Sequence, residues 1–350
     1  MKVITMIGCG LLASVLAACS AGDDRAQETR LPIVLGTEVG AVTRSNDATN
    51  LLSGDTVYVW ADMVNPSTTP ATITPYFNAW ALKANGVGSL STLAAGNAKL
   101  FPATNVLNFY ALVGNFGRDA EDNPIITAET SVLPTEQGIT HTVLSDQRTP
   151  ADYYKRDLLY AVRKNQEPVS EAVVLPFKHL LSRIQVVIVA GNGMTASELA
   201  GATVKLLNLK RQVIFTPDKA KDFASQTDLT SMLTVPITAL QSDVRMSTSV
   251  VSSADDATGA ANASVYADAI VVPQNIEAGL QFIEVDYTSD SGVERHTYYT
   301  IPSGGDAFAI ESGKQYRFRL IADRIGESYL VTPAIDDWTA STQSGNIWAE

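Results

Sequence analysis

Cysteine is nearly missing from this sequence. Of its 350 residues only Cys9 and Cys19 are cysteines, both within the first twenty. The rest of the chain therefore has no structural disulfide, no cysteine-ligated zinc and no cysteine nucleophile. Histidine is scarce as well, limited to His141, His179 and His296. Positive charge is in deficit: 25 Lys+Arg stand against 37 Asp+Glu, a net charge of −12 at pH 7. No broad basic face is available, which argues against a nucleic-acid partner. Past the N-terminus, no apolar run approaches the roughly 20 residues that span a bilayer. No stretch sustains the 3.6-residue period of a long helix, and no repeat of 20–50 residues is visible. The Gly-x-Ser-x-Gly elbow, His-Glu-x-x-His, Walker loop and dinucleotide fingerprint are missing. No catalytic residue, metal or cofactor is expected, and the chain reads as a non-enzyme.

What chemistry remains is sparse. Gly191-Asn192-Gly193 after a strand reads as a turn. Asp255-Asp256 and Asp336-Asp337 are adjacent acids, which a strand would point to opposite faces, so they read as solvated turns or loops, with calcium binding as the alternative. His179, between Phe177 and Leu180, reads as a packed, hydrogen-bonded histidine. Trp60 and Trp80 read as core-strand residues, with an aromatic glycan-binding face as the alternative.

The N-terminus is an export signal. Met1-Lys2 is a short basic start, Val3 to Ala18 is apolar with small residues, and the segment ends Leu16-Ala17-Ala18-Cys19. That ending resembles the lipobox of bacterial lipoproteins. The resemblance implies cutting before Cys19 and acylation of its thiol and amino group with chains such as palmitate. An ordinary signal peptide with an incidental cysteine is the alternative. Several acyl chains give stable anchoring where one gives only marginal binding. Residues 1–18 are then the signal, and residues 19–30, polar and small, a lipidated flexible tether.

From Leu31 on, short runs rich in Val, Ile, Tyr, Phe and Thr alternate with turn residues such as Asn65-Pro66, Asn85-Gly86 and Ser303-Gly304-Gly305. Strands are expected at 31–42, 56–61, 71–82, 105–113, 157–162, 172–177, 183–190, 202–207, 212–216, 234–238, 264–272, 280–287, 295–301, 315–321 and 329–335. Short helical turns are expected at 195–199 and 228–232. Length suits about two domains. The break is placed between 31–182 and 183–350, because Val173–Phe177 reads as a closing strand and Ile184–Val189 as an opening one. The fold class is all-β.

Several segments in order resemble the fimbrillin family, the subunits of type V pili. They are the lipobox; Val42-Thr43-Arg44-Ser45 closing the first strand; Val106–Ala111, like the family's "FYA" strand; Asp157-Leu158-Leu159-Tyr160-Ala161, like "DLLYA"; Leu175–Ile184, like "L-x-F-x-H-L-x-S-x-I"; and Val271-Val272-Pro273-Gln274. The resemblance implies two tandem transthyretin-like Greek-key β-sandwich domains. It also implies a lipoprotein precursor held in the outer membrane, cut by an Arg-specific surface protease, then polymerised by donor-strand exchange into an extracellular fimbrium that supports adhesion. Arg44 best matches the cut position, with Ser45 as the new N-terminus. Arg25 and Arg30 are rivals that would leave the first strand in place.

Residues 31–44 then form a removable first strand, with Leu31, Ile33, Leu35 and Val39 on one face. Four or five such side chains at about 1.5–3 kcal/mol each rival the whole stability of a domain, about 5–15 kcal/mol. An emptied groove would be a template for an incoming strand. The donor is placed in the tail, about 329–350, with Trp338, Ile347 and Trp348 as its anchors, although neither face of that tail is as apolar as 31–42. Having both a cut site and a tail favours a shaft subunit that forms a self-polymer with other pilin subunits. The alternative is a surface-anchored adhesin or tip lipoprotein that binds a glycan, protein, host or bacterial receptor without polymerising. A β-sandwich hydrolase is a third reading, lacking a visible acid pair.

Overall fold

A computed structural model describes residues 30–39, 51–93, 96–114, 126, 131–149, 157–221, 226–251, 264–289, 291–322, 328–330 and 334–337. The fold is nearly all β, as the alternation requires. The first half supplies β1 (Leu35–Val39), β2 (Thr56–Asn65), β3 (Thr72–Ala84), β4 (Leu90–Thr92), β5 (Val106–Val113), β6 (Ile139–Thr142), β7 (Leu159–Gln166) and β8 (Val173–His179). The second half supplies β9 (Ser182–Ala190), β10 (Thr203–Lys210), β11 (Gln212–Phe215), β12 (Leu233–Thr234), β13 (Gln241–Arg245) and β14 (Ser247–Val251). It continues with β15 (Ser264–Val271), β16 (Gln274–Ile276), β17 (Gln281–Thr288), β18 (Glu294–Thr300), β19 (Phe308–Ile310), β20 (Lys314–Ala322), β21 (Ser328–Leu330) and β22 (Ala334–Asp337). Among the described residues, two short helices, α1 (Ala196–Leu199) and α2 (Gln226–Ser231), lie in the second half. Thr195 and Glu198 cap α1 reciprocally, each side chain accepting the other's N–H. No helix among the described residues is long and apolar enough to cross a membrane.

In the first half a seven-stranded sheet runs β1-β8-β7-β5-β2-β3-β4. It curls until β1 meets the approach to β4, with Gly36 bridged to Ser89 and Pro32 to Leu100. Its concave face encloses a core of Val57, Val59, Trp80, Phe101, Phe109, Leu175 and Phe177 among others. In the second half, sheet β13-β10-β17-β18 faces sheet β14-β15-β9-β20, to which β21 and β22 add. Ile184, Val186, Phe282, Val285 and Phe318 fill the space between. β9 is buried along its whole length. It lies between antiparallel β15 and parallel β20, and its unbroken apolar run is what such a position demands.

A third core joins the halves. Trp60, Tyr110 and Tyr160, on the convex face of the first sheet, pack with Val213, Phe215, Leu229, Ile270 and Val272 from beyond Ser182. β6 from the first half pairs with β11 from the second. The Gln147 amide is buried and exchanges two hydrogen bonds with the Ile270 backbone, at 2.8 and 2.9 Å. Lys219 reaches Asp62 at 2.7 Å while lying 5.2 Å above the Tyr110 ring.

Several expectations change. β1 is shorter than 31–42 in its described part. Leu31 is 37% exposed, not inward. It precedes Pro32 and lies beyond the end of β8, whose first residue stands opposite Leu35, so nothing of β8 covers it. Asp336-Asp337 is the end of β22, not a turn. The expected 234–238 strand is only Leu233–Thr234, because Pro236 interrupts it. Asp255-Asp256 lies outside the described residues.

Candidate functional site

β1 and its groove form the site. The side chains of Ile33, Leu35, Thr37 and Val39 are buried against the first core, none more than 6% exposed, while Val34 and Glu38 face out. The alternation is that of a strand with one face buried. Both edges of the strand are bonded. On one side it runs parallel to β8, Leu35 opposite Val173 and Val39 opposite Phe177. The Val173 N–H donates to the Val34 carbonyl at 2.9 Å. On the other side the Ile33 N–H donates to the Lys99 carbonyl at 2.8 Å and the Thr37 N–H to the Gly88 carbonyl at 2.8 Å. The Phe101 N–H donates to the Leu31 carbonyl at 2.9 Å. Gly36 makes this closeness possible: a Cβ there would stand 3.1 Å from the Gly88 carbonyl oxygen and 3.8 Å from the Ala172 Cβ. Exposed Leu31, Val34, Leu100 and Val174 rim the outer side.

Of the other residues singled out from sequence, Cys19, Arg44, Ser45, Trp338, Ile347 and Trp348 lie outside the described residues, as do the signal and most of the tether. Trp60 and Trp80 are buried core residues, and the Trp60 indole N–H donates to the Ser131 carbonyl at 2.7 Å. The buried His179 Nδ1 is 2.7 Å from Asp157 Oδ2, while Asp157 Oδ1 accepts the Leu158 N–H. This pair ties the approach to β7 to the end of β8, a structural job.

One cluster escaped the sequence reading. Glu284 and Asp286 share a face of β17, His296 stands opposite Asp286 on β18, and Lys205 stands opposite Glu284 on β10. Glu284, Asp286 and His296 each offer a ligand atom within 4.8 Å of the others. The Lys205 ammonium, however, sits 2.7 Å from Asp286 and 3.4 Å from Glu284, supplying the cation itself. The period-two acids were visible in sequence; their cross-strand partners required the register. A cleft of about 460 Å³ beside Thr216, Asp218, Lys219 and Lys221 is likewise committed. Its lysines are held by Asp62 and by Ser231 with Asp228.

A model of the fimbrillin-like family matches residues 43–338. The chain belongs to the fimbrillin-like family. This fimbrillin-like chain shares its fold with a candidate cell adhesion protein from Bacteroides uniformis. The two are 17% identical with a TM-score of 0.57, over 90% of this chain and 100% of that one. A second candidate cell adhesion protein, from Bacteroides ovatus, is also 17% identical, with a TM-score of 0.59 over 89% of this chain and 99% of that one. No curated protein matches the sequence. Fimbrillin-like membership makes the chain a structural, pilus-related adhesion subunit of the cell surface, associating with other pilin subunits, and not an enzyme.

Proposed function

We propose that this chain is a shaft subunit of a type V pilus. It is exported as a lipoprotein anchored in the outer membrane through Cys19, cut after Arg44 by an Arg-specific surface protease, and assembled by donor-strand exchange. It comprises two sandwich domains, 31–182 and 183–350. The observation that carries the reading is β1 itself. The strand stands first among the described elements, its inward side chains pack into the first core, and both its edges are bonded. A cut in the segment between Val39 and Leu51 severs the covalent link between this strand and the rest of the fold. Cutting at Arg44 also releases Cys19 and its lipid with the same peptide. Loss of the strand takes away the partners of the Val173 and Phe101 N–H groups and of the Gly88 carbonyl beside an apolar slot, which favours refilling by another strand.

The test uses unlipidated protein beginning at Ser20, treated with an Arg-specific protease, run unheated on a denaturing gel and sequenced from its new N-terminus. With other pilin subunits present, the expected result is a ladder of multimers that contain this chain beginning at Ser45, lost in Arg44→Ala. Clean cutting without a ladder, even when other pilin subunits are added, would make the chain a tip or capping adhesin. Resistance to cutting would refute the shaft role.

A further inference from the structure

We propose that the β1 groove is selective against residues 328–350 of this chain and takes its strand from a second pilin species. This rests on the strand-exchange reading. The groove sets two demands. It has four inward slots, filled by Ile33, Leu35, Thr37 and Val39. Between the middle two, on the outer face, it has a gate at Gly36, where a Cβ would meet the Gly88 carbonyl oxygen at 3.1 Å. A strand in this register is therefore best served by glycine at the gate, since a Cβ there needs the Gly88 carbonyl to give by a few tenths of an ångström. It carries mainly aliphatic residues one and three positions to either side. The pattern is symmetric about the gate, so it is the same for a strand entering in either direction.

Gly345 is the only glycine between Ser328 and Glu350. Placing it at the gate puts Thr342, Ser344, Asn346 and Trp348 in the slots, and burying those polar groups without partners is unfavourable. Alanine at the gate does no better. Ala340 brings Asp337, Thr339, Ser341 and Gln343 inward. Ala334 brings Val331, Pro333, Ile335 and Asp337, burying a carboxylate and placing a proline without an N–H in the ladder. Ala349 brings Asn346, Trp348 and Glu350. In addition, Ser328–Leu330 and Ala334–Asp337 are already paired along β20. The strand that suits this groove is a Gly-gated aliphatic segment of a different subunit, while this chain's tail serves some other groove.

The test is peptide capture during processing. Unlipidated protein is cut after Arg44 in the presence of one fluorescent peptide at a time, then separated by gel filtration. The peptides carry residues 30–39, the same with Gly36→Val, and residues 328–350. The 30–39 peptide is expected to co-elute with the protein, and the other two to be retained at least tenfold less. Equal retention of the 328–350 peptide would overturn the heterotypic reading, and equal retention of the Gly36→Val peptide would overturn the gate. If the original strand stays in place after cutting and no peptide enters, strand exchange fails, and the selectivity fails with it.

Discussion

Gly138 shows how closely single positions are specified. Its φ is +70°, and an added Cβ would lie 2.6 Å from Thr216 Oγ1 and 2.9 Å from the Phe215 carbonyl oxygen. The neighbours belong to the second half, so this glycine lets β6 reach β11. Gly138→Ala is expected to cost about 2–4 kcal/mol in denaturant unfolding, from backbone strain together with overpacking. His296 supplies a pH prediction. The hydrogen bond to Asp286 raises its pKa, Glu284 adds to the rise, and Lys205 and desolvation oppose it. A raised native pKa means that the pair's contribution is complete below the unfolded histidine value. It fades as pH climbs through the native one. The ring is half exposed and screened, so stability should change little. An NMR titration is expected to place His296 above an ordinary histidine, with Asp286→Asn bringing it down; an ordinary value in the parent would refute the pairing.

Most of the elements could be read from sequence, because alternation dominates wherever a strand buries one face. Val106–Val113, Ser182–Ala190, Ser264–Val271 and Lys314–Ala322 all lie within a residue or so of where Val, Ile, Phe and Tyr placed them. The strands that escaped are short, and most are polar. β6 reads Ile-Thr-His-Thr and β13 reads Gln-Ser-Asp-Val-Arg; each is fixed by its partner strand more than by its own residues. At the site, the inward places of Ile33, Leu35 and Val39 were legible and that of Thr37 was passed over. Leu31 misled, since local alternation cannot report where the neighbouring strand stops. Nor could it show that Gly88, Lys99 and Phe101 close the far edge. The tie between β7 and β8 can be tested directly. Asp157→Ala leaves a buried histidine without its carboxylate and is expected to lower stability by about 3 kcal/mol or more. A loss under 1 kcal/mol would show that the pair is dispensable.

For the whole molecule, a core, a sheet pairing and a buried amide all cross the chain break expected at Ser182. Residues 31–182 expressed alone would expose Trp60, Tyr110 and Tyr160 to water and leave β6 unpaired. That fragment is expected to be insoluble or partly unfolded, and the intact chain to show a single calorimetric transition with matching van't Hoff and calorimetric enthalpies. Two separated transitions would mean that the halves are independent.

The bonding of β1 along both edges also has a mechanical consequence. In the lipid-anchored precursor proposed above, a pull from the membrane would enter the described fold at the Arg30 end and load this strand along its length. Hydrogen bonds that lie roughly across the pull share it simultaneously, as rivets in a lap joint do, instead of failing one after another as a zip does. On the proposed reading, the uncut precursor would bear load through the same strand that a single cut makes removable.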